Sequence, residues 1–331
     1  MRLLLDTNVW SRLADWNLEE VFYRYIKSSG VDVVIAPATL LELLKTPHKA
    51  SRLKKIKLVC RSRWVRLPTE AKSEADEVVA EITRLHPEWL RTSKDLARQA
   101  RLQNLWGYIK WQEARSDEDY LIAEARSNYQ NEKEWMVRAQ KEQQKAWRSD
   151  GYLRYPNEIA KAISQLPTFT PDPKHERLMI SQGWRQGEPI EIWRTQAHMI
   201  LMSVLFDNPP HTYFDWIGIY VDISALQNNH RAFGEMLLHE VEAARMRRNW
   251  LRWAVDFAQH AMKVGQGNPM DGQLSSYLYD ANLFITRDKR FSDILNEVRQ
   301  VSPCNFATTI YSHADEKGLI DEIKACITSA R

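Results

Sequence analysis

The sequence predicts an α/β fold: a three-layer domain with a parallel sheet, split by a mainly helical insertion. Short apolar runs occur near both ends of the chain, at Leu3–Leu5, at the β-branched segment Val31–Ala36 and at Asn282–Thr286. Residues with helical spacing lie between such runs. This alternation favours parallel strands that are buried on both faces and connected by helices.

A change in composition along the chain sets the domain boundaries. Residues 87–147 are charged and rich in Trp and show no strand signal, and residues 150–190 contain many Pro, which favours loops. The α/β pattern returns afterwards. We therefore predict one α/β domain made of residues 1–86 and 265–331, with residues 87–264 as an insertion of unknown role.

The first flank is predicted to alternate strands and helices. After the first strand, residues 9–28 have helical spacing, and Gly30 is placed to close that helix in a left-handed conformation. Val31–Ala36 forms the next strand, and Thr39 is the expected N-cap of a helix that carries Glu42. The remaining elements predicted here are a helix over residues 50–60, a strand at Trp64–Leu67, and a helix over residues 70–85 capped by Thr69.

The insertion and the second flank contain further helical patterns. Residues 190–206 and 231–263 have helical spacing, whereas Trp216–Val221 is compatible with either a strand or a buried helix. In the second flank we predict a helix at Asp271–Tyr279, the strand Asn282–Thr286, a helix at Phe291–Arg299 and a terminal helix over residues 319–328.

Composition narrows the class of protein. The chain has 331 residues, of which 44% are hydrophobic and 27% charged, so it is not intrinsically disordered. A net charge of +3 does not by itself indicate nucleic-acid binding. The cysteines Cys60, Cys304 and Cys326 form no CxxC pair, which favours a reduced protein. Without a signal-peptide pattern or an apolar stretch long enough to span a bilayer, we expect a cytoplasmic protein with no membrane contact.

Four acidic residues stand where a strand ends or a helix begins. Asp6 follows the first strand, Glu42 lies one turn past the second, Asp271 opens a helix, and Asp288 follows the strand Asn282–Thr286. The carboxyl ends of parallel strands form the ligand crevice of an open α/β sheet. Carboxylates that converge there repel one another unless a cation holds them, and Mg²⁺ and Mn²⁺ prefer such oxygen ligands.

These motifs resemble those of the PIN-domain nucleases. The resemblance is carried by the hydrophobic-Asp-Thr-Asn motif that contains Asp6, by Glu42, by Asp271 and by the Thr-x-Asp motif at Thr286–Asp288. The short spacing between Asp271 and Asp288 is typical of the family. The long interval from Glu42 to Asp271 is not, so the resemblance covers less than half of the chain and says nothing about residues 87–264.

The resemblance implies a divalent-metal-dependent endoribonuclease, such as a bacterial toxin or defence effector. The four acids would hold Mg²⁺ or Mn²⁺ and form the catalytic cluster, and the metal would activate a water molecule and stabilise charge on the phosphate. By the same resemblance, Asn8 and Thr286 are expected to orient the ligands.

Five basic residues are candidates for substrate binding. Arg287, Lys289 and Arg290 lie beside the proposed cluster and are expected to contact substrate phosphates. Arg248 and Arg252 lie among tryptophans on one predicted helix, an arrangement that suits phosphate binding and base stacking. The alternative, which the pattern favours, is a face of arginines above tryptophans that anchor the helix in the core.

Other interpretations stay open at this point. Asp280 competes with Asp271 as the third acid, although its neighbours have the pattern of a turn. Each acid taken alone also fits a turn, a cap or a helix-terminal charge. A structure-specific DNA nuclease would use the same metal chemistry, and a non-catalytic partner-binding module would use none of it. The partners to be considered are RNA ahead of DNA, an antitoxin or other protein, and a second copy of the chain in a homodimer.

Overall fold

Five short strands form an all-parallel sheet at the centre of the protein. The computed structural model describes residues 1–126, 138, 141–142, 145, 159–164, 168, 170, 176–207, 211–261 and 268–330. The strands are β1 (Arg2–Leu5), β2 (Asp32–Ile35), β3 (Val65–Arg66), β4 (Leu283–Thr286) and β5 (Thr308–Tyr311). Their order is β3-β2-β1-β4-β5, so β1 pairs with β2 on one side and with β4 on the other.

Helices connect the strands and cover both faces of the sheet. In the first flank they are α1 (Thr7–Asp15), α2 (Glu19–Ser29), α3 (Pro37–Leu44), α4 (Lys49–Val59) and α5 (Glu70–Leu85). In the insertion they are α6 (Leu96–Asn104), α7 (Lys110–Ser116), α8 (Ile159–Ser164), α9 (Glu176–Ser181), α10 (Ile192–Met202), α11 (Thr212–Ile217), α12 (Ile223–Asn228), α13 (His230–Glu235) and α14 (Arg247–Ala261). In the second flank they are α15 (Asn268–Ser275), α16 (Lys289–Arg299) and α17 (Leu319–Ser329).

Successive residues of each strand point to opposite faces of the sheet. Leu4 and Val34 belong to the hydrophobic cluster on one face, whereas Leu3 and Leu5 belong to the cluster on the other. Helices pack on both clusters, which explains why the buried positions of β1 and β2, Leu3–Leu5 and Val33–Ile35, are apolar without alternation. The α/β fold with a parallel sheet between helical layers is thus confirmed.

The insertion shares its hydrophobic core with the sheet. The cluster that contains Leu4 continues through Trp216 of α11 and Leu251 of α14. On the opposite face, Trp111 of α7 packs in the cluster that contains Leu3. Helices of the insertion therefore form part of the layers around the sheet, and α14 in particular packs against α15.

Two predicted caps are confirmed by the backbone. Gly30 has φ 67°, the left-handed conformation that closes α2 at low steric cost. The Thr69 side chain accepts a hydrogen bond from the Lys72 N–H at 3.2 Å and caps α5. Both signals are local in the sequence, which is why they could be interpreted without the tertiary structure.

Three local predictions in the first flank were wrong in detail. The helix over residues 9–28 is two helices, because the chain turns at Asn17 with φ 58°. Thr39 does not cap α3, which begins at Pro37, and lies buried within that helix. The strand predicted at Trp64–Leu67 is limited to Val65–Arg66, since β3 pairs only with the last two residues of β2.

Elsewhere the structure adds or divides elements. Strand β5 was not predicted, because Thr308–Tyr311 is short and half exposed. Trp216–Val221 is not a strand: α11 ends within it, and only Val221 makes a bridge, with Leu90. The helix predicted over residues 231–263 is interrupted between α13 and α14, and its last two residues lie outside the described part of the chain, as do many positions of the predicted 150–190 loop region. Of the helices that the structure describes, none has the length and apolar character needed to cross a membrane.

Candidate functional site

The candidate site lies where the chain reverses its direction of travel across the sheet. From β1 the chain proceeds to β2 on one side, whereas β4 joins β1 on the other side. The carboxyl ends of β1 and β4 are held together because the Asp6 N–H donates to the Ile285 carbonyl at 3.0 Å. Such a switch point leaves a crevice between the loops that follow the two strands.

Asp6 is the buried centre of the site. Its carboxylate is 8% exposed and accepts two hydrogen bonds at Oδ2, from Thr286 Oγ1 at 2.5 Å and from Asn8 Nδ2 at 2.8 Å. The Asn8 side chain also accepts from the Arg287 N–H at 3.0 Å. Asn8 and Thr286 therefore hold Asp6 in one orientation and tie it to the loop after β4.

Asp288 is positioned by the same loop. Its N–H donates to Thr286 Oγ1 at 2.9 Å, so the Thr286 hydroxyl links Asp6 to Asp288. Asp288 Oδ1 accepts from the Phe291 N–H at 3.0 Å and caps α16. The capping role considered for Asp288 from the sequence is thus present, and it fixes an exposed carboxylate at the mouth of the crevice.

Glu42 and Asp271 enter the site from two helices that pack against each other. Glu42 lies on α3 and is half-buried, while Asp271 lies on α15. Asp271 Oδ2 accepts a hydrogen bond from Gln259 Nε2 at 2.8 Å. The structure therefore brings one acid from each of four separate segments to this end of the sheet.

The electrostatics show that the four acids influence one another. Burial raises the pKa of Asp6 to about 7; its hydrogen bond from Thr286 opposes the shift, and Glu42 and Asp288 add to it. Burial, together with the charges of Asp6, Asp288 and Glu42, raises the pKa of Asp271 to about 9. Mutual repulsion of this kind arises only when carboxylates converge.

The donor set suits a hard divalent cation in its chemistry. All four side chains offer carboxylate oxygens, and a cation between them would relieve the repulsion that raises the pKa of Asp271. Within the described parts of the chain, however, no three Asp, Glu, His or Cys side chains are already arranged to hold a metal ion. The acids are neighbours rather than a formed coordination shell.

The three basic residues near the cluster differ in their surroundings. Arg287 packs over the Trp16 ring at 5.3 Å and donates to the Ala314 carbonyl at 2.6 Å. Arg290 donates to the Gln259 carbonyl at 3.4 Å; burial lowers its pKa, against the charges of Asp271 and Asp288. Lys289 is exposed. Arg287 is thus engaged in packing, whereas Lys289 is accessible to a substrate.

The structure places Arg248 and Arg252 away from the acidic cluster. Arg248 is 7% exposed and pairs with Asp280 through two hydrogen bonds of 2.8 and 3.0 Å. Arg252 lies beside the buried Glu74 and donates to the Tyr213 hydroxyl at 3.0 Å. Both arginines are thus engaged in packing, the alternative that the sequence pattern favours. The pairing also accounts for Asp280, whose carboxylate neutralises Arg248.

Gln259 was missed by the sequence analysis. It is 1% exposed, lies near the end of α14 and contacts Asp271 across an interface between the insertion and the second flank. A glutamine in an amphipathic helix carries no signal of its own. Only the packing of α14 against α15 reveals the contact.

Comparison of the chain with models of protein families, with curated proteins and with solved structures found no match.

Proposed function

We propose that the protein is a divalent-metal-dependent endonuclease of the PIN-like type that cleaves RNA. The observation that carries the proposal is the convergence of Asp6, Glu42, Asp271 and Asp288 at the switch point of a parallel sheet, with the pKa values of Asp6 and Asp271 raised by burial and by the other acids. Structural carboxylates are normally paired with cations, whereas these repel one another.

The residues of the site would divide into metal ligands, residues that orient a ligand, and a residue that contacts the substrate. The four acids would hold Mg²⁺ or Mn²⁺, for which their side chains have to turn towards a common point. The bound ion would acidify water and stabilise negative charge on the phosphate. Thr286 and Asn8 keep Asp6 oriented through their hydrogen bonds, and Lys289 is available to contact a substrate phosphate.

A cleavage assay with three nucleic acids tests the proposal. The purified protein is incubated with labelled RNA, single-stranded DNA and duplex DNA, in Mn²⁺ or in EDTA, beside an Asp6→Asn variant. We expect internal cleavage of RNA that requires Mn²⁺ and is lost in the variant. Cleavage of DNA alone would assign a DNA nuclease instead, and the absence of metal-dependent cleavage of any of the three would favour a non-catalytic binding protein.

A further inference from the structure

The helix α14 contributes a side chain to the acidic cluster, although it belongs to the insertion. Gln259 Nε2 donates to Asp271 Oδ2 at 2.8 Å, and the Gln259 carbonyl accepts from Arg290 at 3.4 Å. One residue of α14 therefore contacts both α15, which carries Asp271, and α16, which Asp288 caps.

Gly272 leaves room for α14 beside α15. A Cβ atom at Gly272 would lie 2.6 Å from Oδ1 of Asp256, so the Asp256 carboxylate would have to shift. Asp256 lies three residues before Gln259, so both face α15 from the same side of α14. The close packing of α14 on α15, beside this glycine, brings Gln259 within reach of the Asp271 carboxylate.

Packing alone does not explain why a polar amide group stands at position 259. Its Oε1 is buried and accepts no hydrogen bond from the residues that the structure describes, and a buried polar atom without a partner destabilises a fold by about 1–3 kcal/mol. An apolar residue of similar length would avoid that penalty. The amide group is explained by what its N–H does to Asp271.

We propose that Gln259 is a positioning residue for Asp271: its amide N–H fixes the rotation of the carboxylate so that Asp271 can join the other acids around a divalent cation. This inference rests on the proposed function. It assigns the insertion a direct part in forming the metal centre, because α14 carries the donor.

Measurement of Mn²⁺ affinity tests the inference without relying on activity. Mn²⁺ is titrated calorimetrically into the full-length wild type, Gln259→Met and a matched control, Gln196→Met. Gln196 also donates to a partly buried carboxylate, that of Asp256 at 3.4 Å, but this is not one of the four acids. We expect the Mn²⁺ dissociation constant to rise about 10- to 100-fold in Gln259→Met, as for other groups that orient ligands, and to stay unchanged in Gln196→Met.

A second readout separates positioning from general stability. Saturating Mn²⁺ should restore most of the cleavage rate of Gln259→Met, whereas a distorted fold would not recover. If Gln259→Met does not fold, Gln259→Asn keeps the amide but withdraws it by one methylene, and the same loss of affinity is expected. Unchanged affinity at position 259, or equal losses at 259 and 196, would overturn the inference and leave the nuclease proposal standing. Absence of Mn²⁺ binding by the wild type would contradict both.

Discussion

At the scale of single residues, the Thr286 hydroxyl links two acids of the candidate site. It donates to Asp6 and accepts from the Asp288 N–H, and the residue is completely buried. One hydroxyl group therefore sets the relative position of two of the four acids. A threonine suits this place because its β-branched body fits the last position of a buried strand while its oxygen serves the loop.

Replacement of Thr286 by Val should affect stability as well as the site. The Asp288 N–H loses its acceptor, and Asp6 loses one donor, so we expect the free energy of unfolding to fall by about 1–3 kcal/mol. Urea denaturation measures this change. Thr286→Ser, which retains the hydroxyl, is the control and should lose less. Equal losses in both variants would mean that the methyl group, and not the hydrogen bonds, matters.

Replacement of Asp6 or Asp288 by Asn should remove activity and preserve the fold. Each change keeps the shape of the side chain but removes one negative charge from the cluster. We expect the metal-dependent cleavage rate to fall by about a hundredfold or more, since even groups that only orient ligands contribute about 10- to 100-fold. Far-ultraviolet circular dichroism checks the fold. Wild-type cleavage by both variants would contradict the assignment of the acids.

At the scale of elements, helices α5 and α14 are joined by buried ion pairs. Glu74 and Glu77 on α5 face Arg252 and Arg248 on α14, and burial raises the pKa of Glu77 to about 8. The Arg248 N–H also donates to Glu77 at 3.0 Å. These contacts hold α14 beside the sheet, and α14 in turn reaches Asp271 through Gln259.

Loss of the buried arginine should destabilise this interface. Arg248→Met removes the guanidinium that pairs with Asp280 and lies 3.4 Å from Glu77, which we expect to lower the free energy of unfolding by about 3–5 kcal/mol. Arg245 is the matched control: it lies just before α14, its side chain is 52% exposed, and Arg245→Met should change stability by about 1 kcal/mol or less. Thermal denaturation compares the two. A mild effect of Arg248→Met, with weaker nucleic-acid binding that flattens the salt dependence, would restore Arg248 as a phosphate contact.

At the scale of the whole molecule, the acidic cluster couples stability to pH and to metal. The pKa values of Asp6 and Asp271, about 7 and about 9, lie above those of an unfolded chain, so the folded protein binds more protons between about pH 4 and pH 9. The stability of the metal-free protein should therefore fall as the pH rises through this window. A divalent cation that binds only the folded protein adds about 2.7 kcal/mol at a hundred times its dissociation constant.

Asp271→Asn should weaken both the pH dependence of stability and the stabilisation by Mn²⁺. In EDTA at pH 8 the variant should melt at the same temperature as the wild type or higher, because folding no longer has to bury a carboxyl whose pKa is raised to about 9, and its stability should depend less on pH. It should gain less from Mn²⁺, because a ligand is missing. Other buried acids with raised pKa values, such as Glu77 and Asp256, are present in both proteins, so the difference between the two melting curves isolates Asp271.

Asp32→Asn is the control for that comparison, because Asp32 is exposed at the amino end of β2, the opposite edge of the sheet. It should show neither effect. A wild type that melts at the same temperature with and without Mn²⁺, together with a simply destabilised Asp271→Asn, would remove the physical basis of a metal cluster.

The sequence by itself determined the parts of this protein that depend on local patterns. Leu3–Leu5 and Asn282–Thr286 could be predicted as buried strands, because buried parallel strands are apolar at consecutive positions. Asp6 and Asp288 could be placed at carboxyl ends of strands, because each follows such a run within two residues. Gly30 and Thr69 end and begin helices as their local chemistry requires.

Only the tertiary structure decided how distant segments contact one another. The sequence did not decide whether Arg248 binds substrate or packs in the core, and the structure pairs it with Asp280 in the interior. It gave no reason to single out Gln259, whose contact with Asp271 depends on how closely α14 packs on α15. The extents of the two outer strands, β3 and β5, are set by their pairing with β2 and β4. The physical reason is common to all of these: burial and partner choice are set by side chains far apart in the chain, which periodicity and local propensity do not contain.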